Sequence, residues 1–353
     1  MSTLDIAAIP PRTPMVRGSL PSWGPWALFA GTALVALGLL AVTDVSFALL
    51  LVGAVVVSGA GLYAWSRVVE GARTATDRGV TFLVSSAFAL AIAPLISLLY
   101  TVTARGFARF DYQFFTESAR NVVGEGGGAS HAIVGTLVIT GVATLASVPI
   151  GILAAIYLQE YGHGRLKRAI TFFVDVMTGI PSIVAGLFAY ALFALFLGPG
   201  IRLGVIGSVA LAVLMIPIVV RSTEEMLKIV PNHLREAAYA LGVPKWRTVV
   251  KVVLPTALGG IISGVMLAVA RIMGETAPLL ITTGAFSSIN LNPTDGRMQN
   301  LAVFAFNEYK NPGVPRDPYF DRAWAAALTL IVLVMTLSLL ARLIYKRFGT
   351  ETR

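Results

Sequence analysis

The chain has 353 residues, of which 56% are hydrophobic and 13% charged, and its formal net charge is +9. This composition excludes an ordinary soluble domain and indicates a polytopic membrane protein. Cysteine is absent, so disulfides, iron–sulfur clusters and thiolate metal sites are excluded, and the three histidines, His131, His163 and His233, show no metal-ligand spacing.

Eight apolar runs are long enough to cross a bilayer, on a threshold of about 18 to 20 residues. They cover residues 26–44, 46–65, 80–104, 133–158, 171–197, 203–220, 256–283 and 323–345. The first two predict a tight hairpin behind a polar leader, residues 1–24, which lacks the apolar core of a signal peptide. Interior prolines predict bent helices in five of the runs. These prolines are Pro94, Pro149, Pro181, Pro217 and Pro278.

Basic residues gather in alternate loops, which predicts the orientation of the spans. The basic flanks are Arg12 and Arg17, then Arg67, Arg73 and Arg78, then Arg165, Lys167 and Arg168, then residues 228–251, then Arg342, Lys346 and Arg347. This pattern predicts that both termini and these loops are cytoplasmic, whereas the loops at 105–130 and 284–322, with charges of both signs, are external. The membrane therefore explains the net charge, and no nucleic-acid partner is expected.

Residues 236–255 read EAAYALGVPKWRTVVKVVLP, a polar and basic stretch between two apolar runs. Small alanines at 237, 238 and 240 let another surface approach closely, Gly242 ends the helix, and Pro244 prevents its continuation. The stretch predicts a short helix, a sharp turn and a second helix entering the membrane, a unit suited to docking on a partner protein. It resembles the cytoplasmic loop of ABC-importer permeases, although Val252 stands where isoleucine is usual.

Two sets of charged residues stand within or beside apolar runs. Arg271 and Glu275 are four residues apart, which predicts one helical face, and a central membrane charge costs about 2.5 to 3.5 kcal/mol. They form either a substrate-handling pair or a mutually neutralising packing pair. Arg221, close to Glu224 and Glu225, is either a second pathway cation or an interfacial anchor.

Three segments narrow the resemblance to the phosphate ABC-transporter permeases, the PstA-like subunits. They are residues 178–188 (TGIPSIVAGLF), 219–246 and 270–284 (ARIMGETAPLLITTG). The resemblance implies an all-α integral membrane fold with a six-helix, MetI-like permease core at residues 79–347, containing a cytoplasmic coupling loop at 222–254. The hairpin at 25–67 is additional to that core.

The resemblance also implies the partners of a heteromeric importer in the bacterial cytoplasmic membrane. These are membrane lipid, a homologous PstC-like permease, two PstB-like ATPases and an external PstS-like phosphate-binding protein. No GxxxxGK[ST] loop occurs, so the chain is not expected to be an enzyme, and ATP and Mg²⁺ belong to the ATPase partner.

The implied mechanism is alternating access, with Arg271, Glu275 and Arg221 in the phosphate pathway. Glu275 is expected to orient Arg271 and to weaken its binding of phosphate. The residues expected to contact the ATPase are Glu236, Ala237, Ala238, Gly242, Pro244, Lys245 and Trp246. Two alternatives stay open: an ABC permease for another solute, such as sulfate, molybdate, amino acids or peptides, and an ion-coupled secondary transporter.

Overall fold

The computed structural model describes residues 18–42 and 46–348 of the chain. Residues 1–17 of the predicted leader, with Arg12 and Arg17, lie outside the described residues, as do residues 43–45 at the end of the first predicted span. The side chain of Arg347 is also outside them. The chain divides into two compact units, Met1–Leu99 and Tyr100–Arg353. The predicted start of the permease domain at residue 79 stays a prediction.

The first unit contains a hairpin of two apolar helices, α1 (Gly24–Val42) and α2 (Phe47–Val69), and most of a long helix, α3 (Ala72–Gly106). Thr32 and Ser58 share a hydrogen bond of 2.5 Å between their hydroxyls, and Ser58 is buried. Hydroxyl contacts of this kind hold helices together where lipid offers no competing partner. The two apolar helices of the hairpin are therefore joined by a specific polar contact.

Glu70 fastens the chain at the corner between α2 and α3. Its carboxylate accepts hydrogen bonds from the backbone N–H of Leu20 at 2.8 Å, from the Ser66 hydroxyl at 2.7 Å and from Arg78 at 2.7 Å. Three segments of the first unit are thus held by one buried side chain.

The regular secondary structure described in the second unit is also entirely helical. Its helices are α4 (Tyr112–Thr116), α5 (Ser130–Ile156), α6 (Gly164–Thr178), α7 (Ser182–Leu197), α8 (Gly204–Ile229), α9 (Asn232–Ala240), α10 (Lys245–Thr248), α11 (Leu254–Met273), α12 (Ala277–Thr282), α13 (Leu301–Lys310) and α14 (Asp317–Phe348). A π-helical turn, Tyr157–Tyr161, extends α5, and a second, Val249–Val253, joins α10 to α11.

Helix α8 is central in this unit, packing against α5, α6, α7, α11 and α12. Its buried Leu211 and Met215 belong to one apolar cluster with Ile139 of α5 and Ile272 of α11. A Cβ placed on Gly264 of α11 would lie only 2.6 Å from that of Ser222 on α8. The small residues of α11 therefore allow close packing within this chain.

Six described helices are long and apolar enough to cross a bilayer. They are Leu49–Val69, Ala72–Arg109, Ser130–Tyr161, Gly204–Ile229, Lys245–Met273 and Asp317–Leu343. The bent pair α6–α7 gives up to a seventh span, and the apolar part of α1, Gly24–Leu39, is shorter. Together these helices correspond to the eight predicted runs, and the prediction of an all-α membrane protein is confirmed.

The run at residues 171–197, predicted as one span bent at Pro181, is broken rather than continuous. It forms parts of two helices that meet at an angle of 109°. Gly179 caps the end of α6, and Pro181, which lacks a backbone N–H, precedes the start of α7. The helix therefore stops and restarts in a new direction.

The predicted interior prolines are of two kinds. Pro94, Pro149 and Pro217 lie inside α3, α5 and α8. Pro181 and Pro278 instead stand at helix beginnings, where a missing N–H costs no hydrogen bond. The prediction that all five bend the interior of a helix is wrong for these two.

Candidate functional site

The stretch between α8 and α11 folds as a helix, a turn and a second helix, as its sequence predicts. Helix α9 ends at Ala240, and Gly242 follows with a φ of +72°. That conformation disfavours side chains with a Cβ, so glycine suits the position. Pro244 then precedes α10, which continues through the π-helical turn into α11. We call residues 230–248 the α9–α10 loop.

The predicted contact residues of this loop divide into an exposed and a buried group. The exposed residues are Glu236, Ala237, Gly242, Pro244, Lys245 and Trp246, the last with 57% of its surface accessible. Ala238 is buried against its own chain, and its carbonyl accepts a hydrogen bond from Val243. The expectation that Ala238 admits an approaching partner is therefore wrong for this conformation.

Arg235 fixes the α9–α10 loop to the rest of the second unit. It forms an ion pair of 2.8 Å with Glu160 in the π-helical turn after α5. It also donates to the carbonyls of Leu227 and Val230, at 3.0 and 2.7 Å, near the end of α8. Sequence analysis missed this pairing, because Glu160 lies 75 residues away.

Lys245 makes a second connection between the loop and the end of α5. Its ammonium group lies 5.1 Å from the centre of the Tyr161 ring, within range of a cation–π interaction. Both ends of the α9–α10 loop therefore contact the same π-helical turn.

The spacing of Arg271 and Glu275 predicted that they share a helical face, but they do not. Arg271 lies in the last turn of α11, which ends at Met273, and Glu275 follows the cap residue Gly274. The backbone N–H of Glu275 donates to the carbonyl of Ile272 at 3.2 Å, while its own carbonyl accepts from the Asn300 amide at 3.4 Å. The prediction of one helical face is wrong, because the helix stops between the two residues.

The guanidinium of Arg271 is exposed on the isolated chain. None of the described residues forms an ion pair or hydrogen bond with it, and Leu267, one turn earlier on the same face, is also exposed. An unpaired cation on a span is costly in lipid, so this face requires water, an anion or another protein chain.

Arg221 has two acidic neighbours. It forms ion pairs with Asp175 near the end of α6 and, at 2.8 Å, with Glu224 on its own helix. It also lies well inside α8, which continues to Ile229, although the sequence predicted that the span ends at residue 220. Its charge is thus met by carboxylates, and Asp175 is a partner that sequence analysis missed.

Of the three histidines, only one is buried, His131 in the first turn of α5. Its ring meets Phe304 edge to face at 5.3 Å between centroids. Within the part of the chain that the structure describes, no three His, Cys, Asp or Glu residues are grouped to hold a metal ion.

Comparison with known proteins places these features in a family. The model of the family described as "Binding-protein-dependent transport system inner membrane component" matches residues 147–353. Phosphate transport system permease protein PstA 1 of Mycobacterium tuberculosis (strain CDC 1551 / Oshkosh) is 48% identical over 267 residues, 75% of this chain and 86% of that protein. Phosphate transport system permease protein PstA of Pasteurella multocida (strain Pm70) is 39% identical over 251 residues, 70% of this chain and 86% of the relative.

Solved structures agree with this result at the level of the fold. A bacterial ABC transporter involved in the import of the acidic polysaccharide alginate includes a chain with a TM-score of 0.52 and 14% identity. The match covers 79% of this chain and 100% of that chain. The fold is therefore that of ABC-importer permeases, and the chain belongs to the family of binding-protein-dependent transport system inner membrane components.

Proposed function

We propose that this chain is the membrane-spanning permease subunit of an ATP-driven phosphate importer. The observation that carries the proposal is the guanidinium of Arg271 on an apolar helix, which has no partner among the described residues, in a chain whose relatives are named phosphate transport permeases. Phosphate is an anion at neutral pH, and its passage through an apolar region requires compensating positive charge. An arginine can bind two of its oxygens with one planar group.

The other two proposed pathway residues have different surroundings. Glu275 stands in the break after α11 and is partly buried. We assign to its carboxylate the role of limiting how tightly Arg271 binds an anion. Arg221 is already paired with Asp175 and Glu224. It can receive phosphate only in a conformation that separates it from a carboxylate, so within the membrane pathway we place the phosphate contact at Arg271 rather than at Arg221.

The exposed face of the α9–α10 loop is the proposed ATPase contact. Trp246 presents an exposed aromatic ring, a residue type enriched at protein interfaces. Lys245 and Glu236 add charges of both signs beside it. Arg235 and Lys245 then link this surface to α5 and α8.

The complete importer needs further chains. We assign to it a PstC-like second permease, two PstB-like ATPases that hold ATP and Mg²⁺, and a PstS-like external phosphate-binding protein. The α9–α10 loop and both termini are then cytoplasmic. Opening and closing of the ATPases moves the loop, and the spans expose the pathway to each side in turn.

The test is uptake of labelled phosphate in cells that lack this protein and in the same cells complemented with it. Sulfate and molybdate are added as competitors. We expect phosphate uptake alone to be lost and then restored. Loss of sulfate or molybdate uptake with phosphate uptake intact would overturn the assignment of phosphate as the substrate. Uptake independent of any ATPase would overturn the ABC mechanism.

A further inference from the structure

Two arginines from distant parts of the sequence converge at the end of α12 remote from Arg271. They are Arg202, just before α8, and Arg297, in the loop between α12 and α13. A Cβ placed on Gly284 would lie 3.0 Å from Cδ of Arg202 and 3.4 Å from Cδ of Arg297. Both side chains therefore pass over the same backbone position.

Backbone hydrogen bonds hold each arginine at this place. Leu203, which follows Arg202, donates its N–H to the carbonyl of Thr282 at 3.2 Å. Met298, which follows Arg297, donates its N–H to the carbonyl of Thr283 at 3.4 Å. The two arginines thus flank the end of α12 because their neighbours are fastened to adjacent carbonyls.

Two further features shape this end of the helix. Gly284 has a φ of +73°, so it turns the chain at a position where a Cβ would also crowd the Arg202 side chain. The side-chain amide of Asn290 donates to the carbonyls of Asp295 and Arg297, at 2.7 and 3.1 Å, and orders the loop. The arginines therefore project from a constrained backbone.

No described residue compensates the charges of Arg202 and Arg297. Both side chains are exposed, and among the described residues neither forms an ion pair or a side-chain hydrogen bond. Asp295, two residues from Arg297, is exposed and likewise has no ion pair among the described residues. Two neighbouring cations repel each other, and a bound anion removes that repulsion.

The same loop connects this pair with the proposed pathway. Residues 297–300 run beside α12, from Met298 at Thr283 to Asn300, whose amide donates to the carbonyl of Glu275. Helix α12 has 6 residues, or about 9 Å at 1.5 Å per residue. The arginine pair and the break beside Arg271 therefore stand at opposite ends of one short helix.

We propose that Arg202 and Arg297 form an oxyanion-binding site that receives phosphate before it reaches Arg271. This inference rests on the proposed function and adds an entry site to it. The guanidinium forks supply several donors to the phosphate oxygens, and exposure to water keeps the binding weak enough for onward transfer.

The first test uses the complete importer, reconstituted in vesicles with its partner subunits and phosphate-loaded binding protein. The variants are Arg202→Gln and Arg297→Gln, with Arg316→Gln as a matched control, because Arg316 is also exposed and belongs to the second of the two predicted external loops. We expect the uptake rate at saturating binding protein to fall roughly three- to tenfold in each test variant, the effect of losing one charge-assisted contact partly screened by water. The control should be unchanged.

The second test measures anion binding without transport. The chain has no cysteine, so Arg297→Cys introduces its single thiol. Inorganic phosphate should slow the reaction of this thiol with an anionic methanethiosulfonate and should not affect the thiol of Arg316→Cys. Attachment of a cationic methanethiosulfonate at position 297 should restore uptake, whereas attachment of the anionic reagent should not.

Several outcomes would overturn the entry site. Unchanged uptake in both glutamine variants, with normal phosphate uptake by the wild type, would remove the site from the route. A higher half-saturating concentration of binding protein, with an unchanged maximal rate, would assign the pair to an acidic protein surface. If the wild type imports no phosphate, the proposed function fails, and protection of the thiol by phosphate still decides whether an anion binds at this place beside Arg202.

Discussion

Arg235 and Glu160 form an ion pair in which only 12% and 6% of the two side chains are exposed. Arg235 stands on α9, whereas Glu160 belongs to the π-helical turn after α5. Because Arg235 also binds two carbonyls near the end of α8, one guanidinium holds three helical segments together. A displacement of α9 is therefore expected to reach both α5 and α8.

Arg235→Gln should destabilise the permease more than Glu160→Gln. Loss of the arginine leaves Glu160 buried without a counter-charge, at a cost of about 3 to 5 kcal/mol. Glu160→Gln leaves Arg235 with its carbonyl partners and an amide oxygen, so we expect about 1 to 2 kcal/mol. Thermal unfolding of the purified complex measures both, and the exposed Arg165 gives the control Arg165→Gln. Equal losses in the two variants would contradict the role of the carbonyl contacts.

Gly242 should tolerate asparagine better than alanine. No atom outside its own neighbourhood lies within 4 Å of a Cβ built there, so strain at a φ of +72° is the main penalty within this chain. That strain costs an alanine about 1 to 2 kcal/mol, whereas asparagine adopts the conformation more readily. The measurement is the ATP hydrolysed per phosphate imported, with copurified ATPase as the control for assembly. If asparagine is the worse substitution, contact with the partner decides tolerance instead.

The α9–α10 loop and the apolar helices could be predicted because their signals are local. Gly242 and Pro244 mark the turn within three residues, and long apolar runs identify spans without tertiary information. The helix breaks also have local signals, of which Pro181 predicted only a bend. Gly179 followed by Ile-Pro and Gly274 between Arg271 and Glu275 are helix-ending patterns.

The partners of the charged residues could not be predicted in the same way. Asp175 and Arg221 are 46 residues apart, and Glu160 and Arg235 are 75 apart. Such pairs depend on how α5, α6 and α8 pack, and the spacing of charges along one helix carries no information about them. The same limit explains why Glu224 could be proposed as a neighbour of Arg221 while Asp175 was missed.

Arg271→Gln should abolish most phosphate uptake while leaving the complex assembled. No described residue is bonded to its side chain, so removing the charge should cost little stability. Loss of a charge-assisted contact to a desolvated anion predicts a fall of about tenfold or more, with Arg271→Lys intermediate because it keeps the charge without the fork. Labelled-phosphate uptake and subunit copurification are measured together, with Arg342→Gln as the control. Normal uptake in Arg271→Gln would remove this residue from the pathway.

Acid should loosen the corner of the first unit through Glu70. Hydrogen bonds from Ser66 first, then from the N–H of Leu20, and the guanidinium of Arg78 hold the pKa of Glu70 below its ordinary value of 4.5. A carboxyl whose folded pKa is lowered contributes stability that is fully present above the ordinary pKa and is lost as pH falls through the lowered one. We therefore expect Glu70→Gln to unfold at a lower temperature than wild type at pH 7, with the difference shrinking under acid. The exposed Asp77 provides the control Asp77→Asn, and a difference between Glu70→Gln and wild type that is the same at every pH would contradict this linkage.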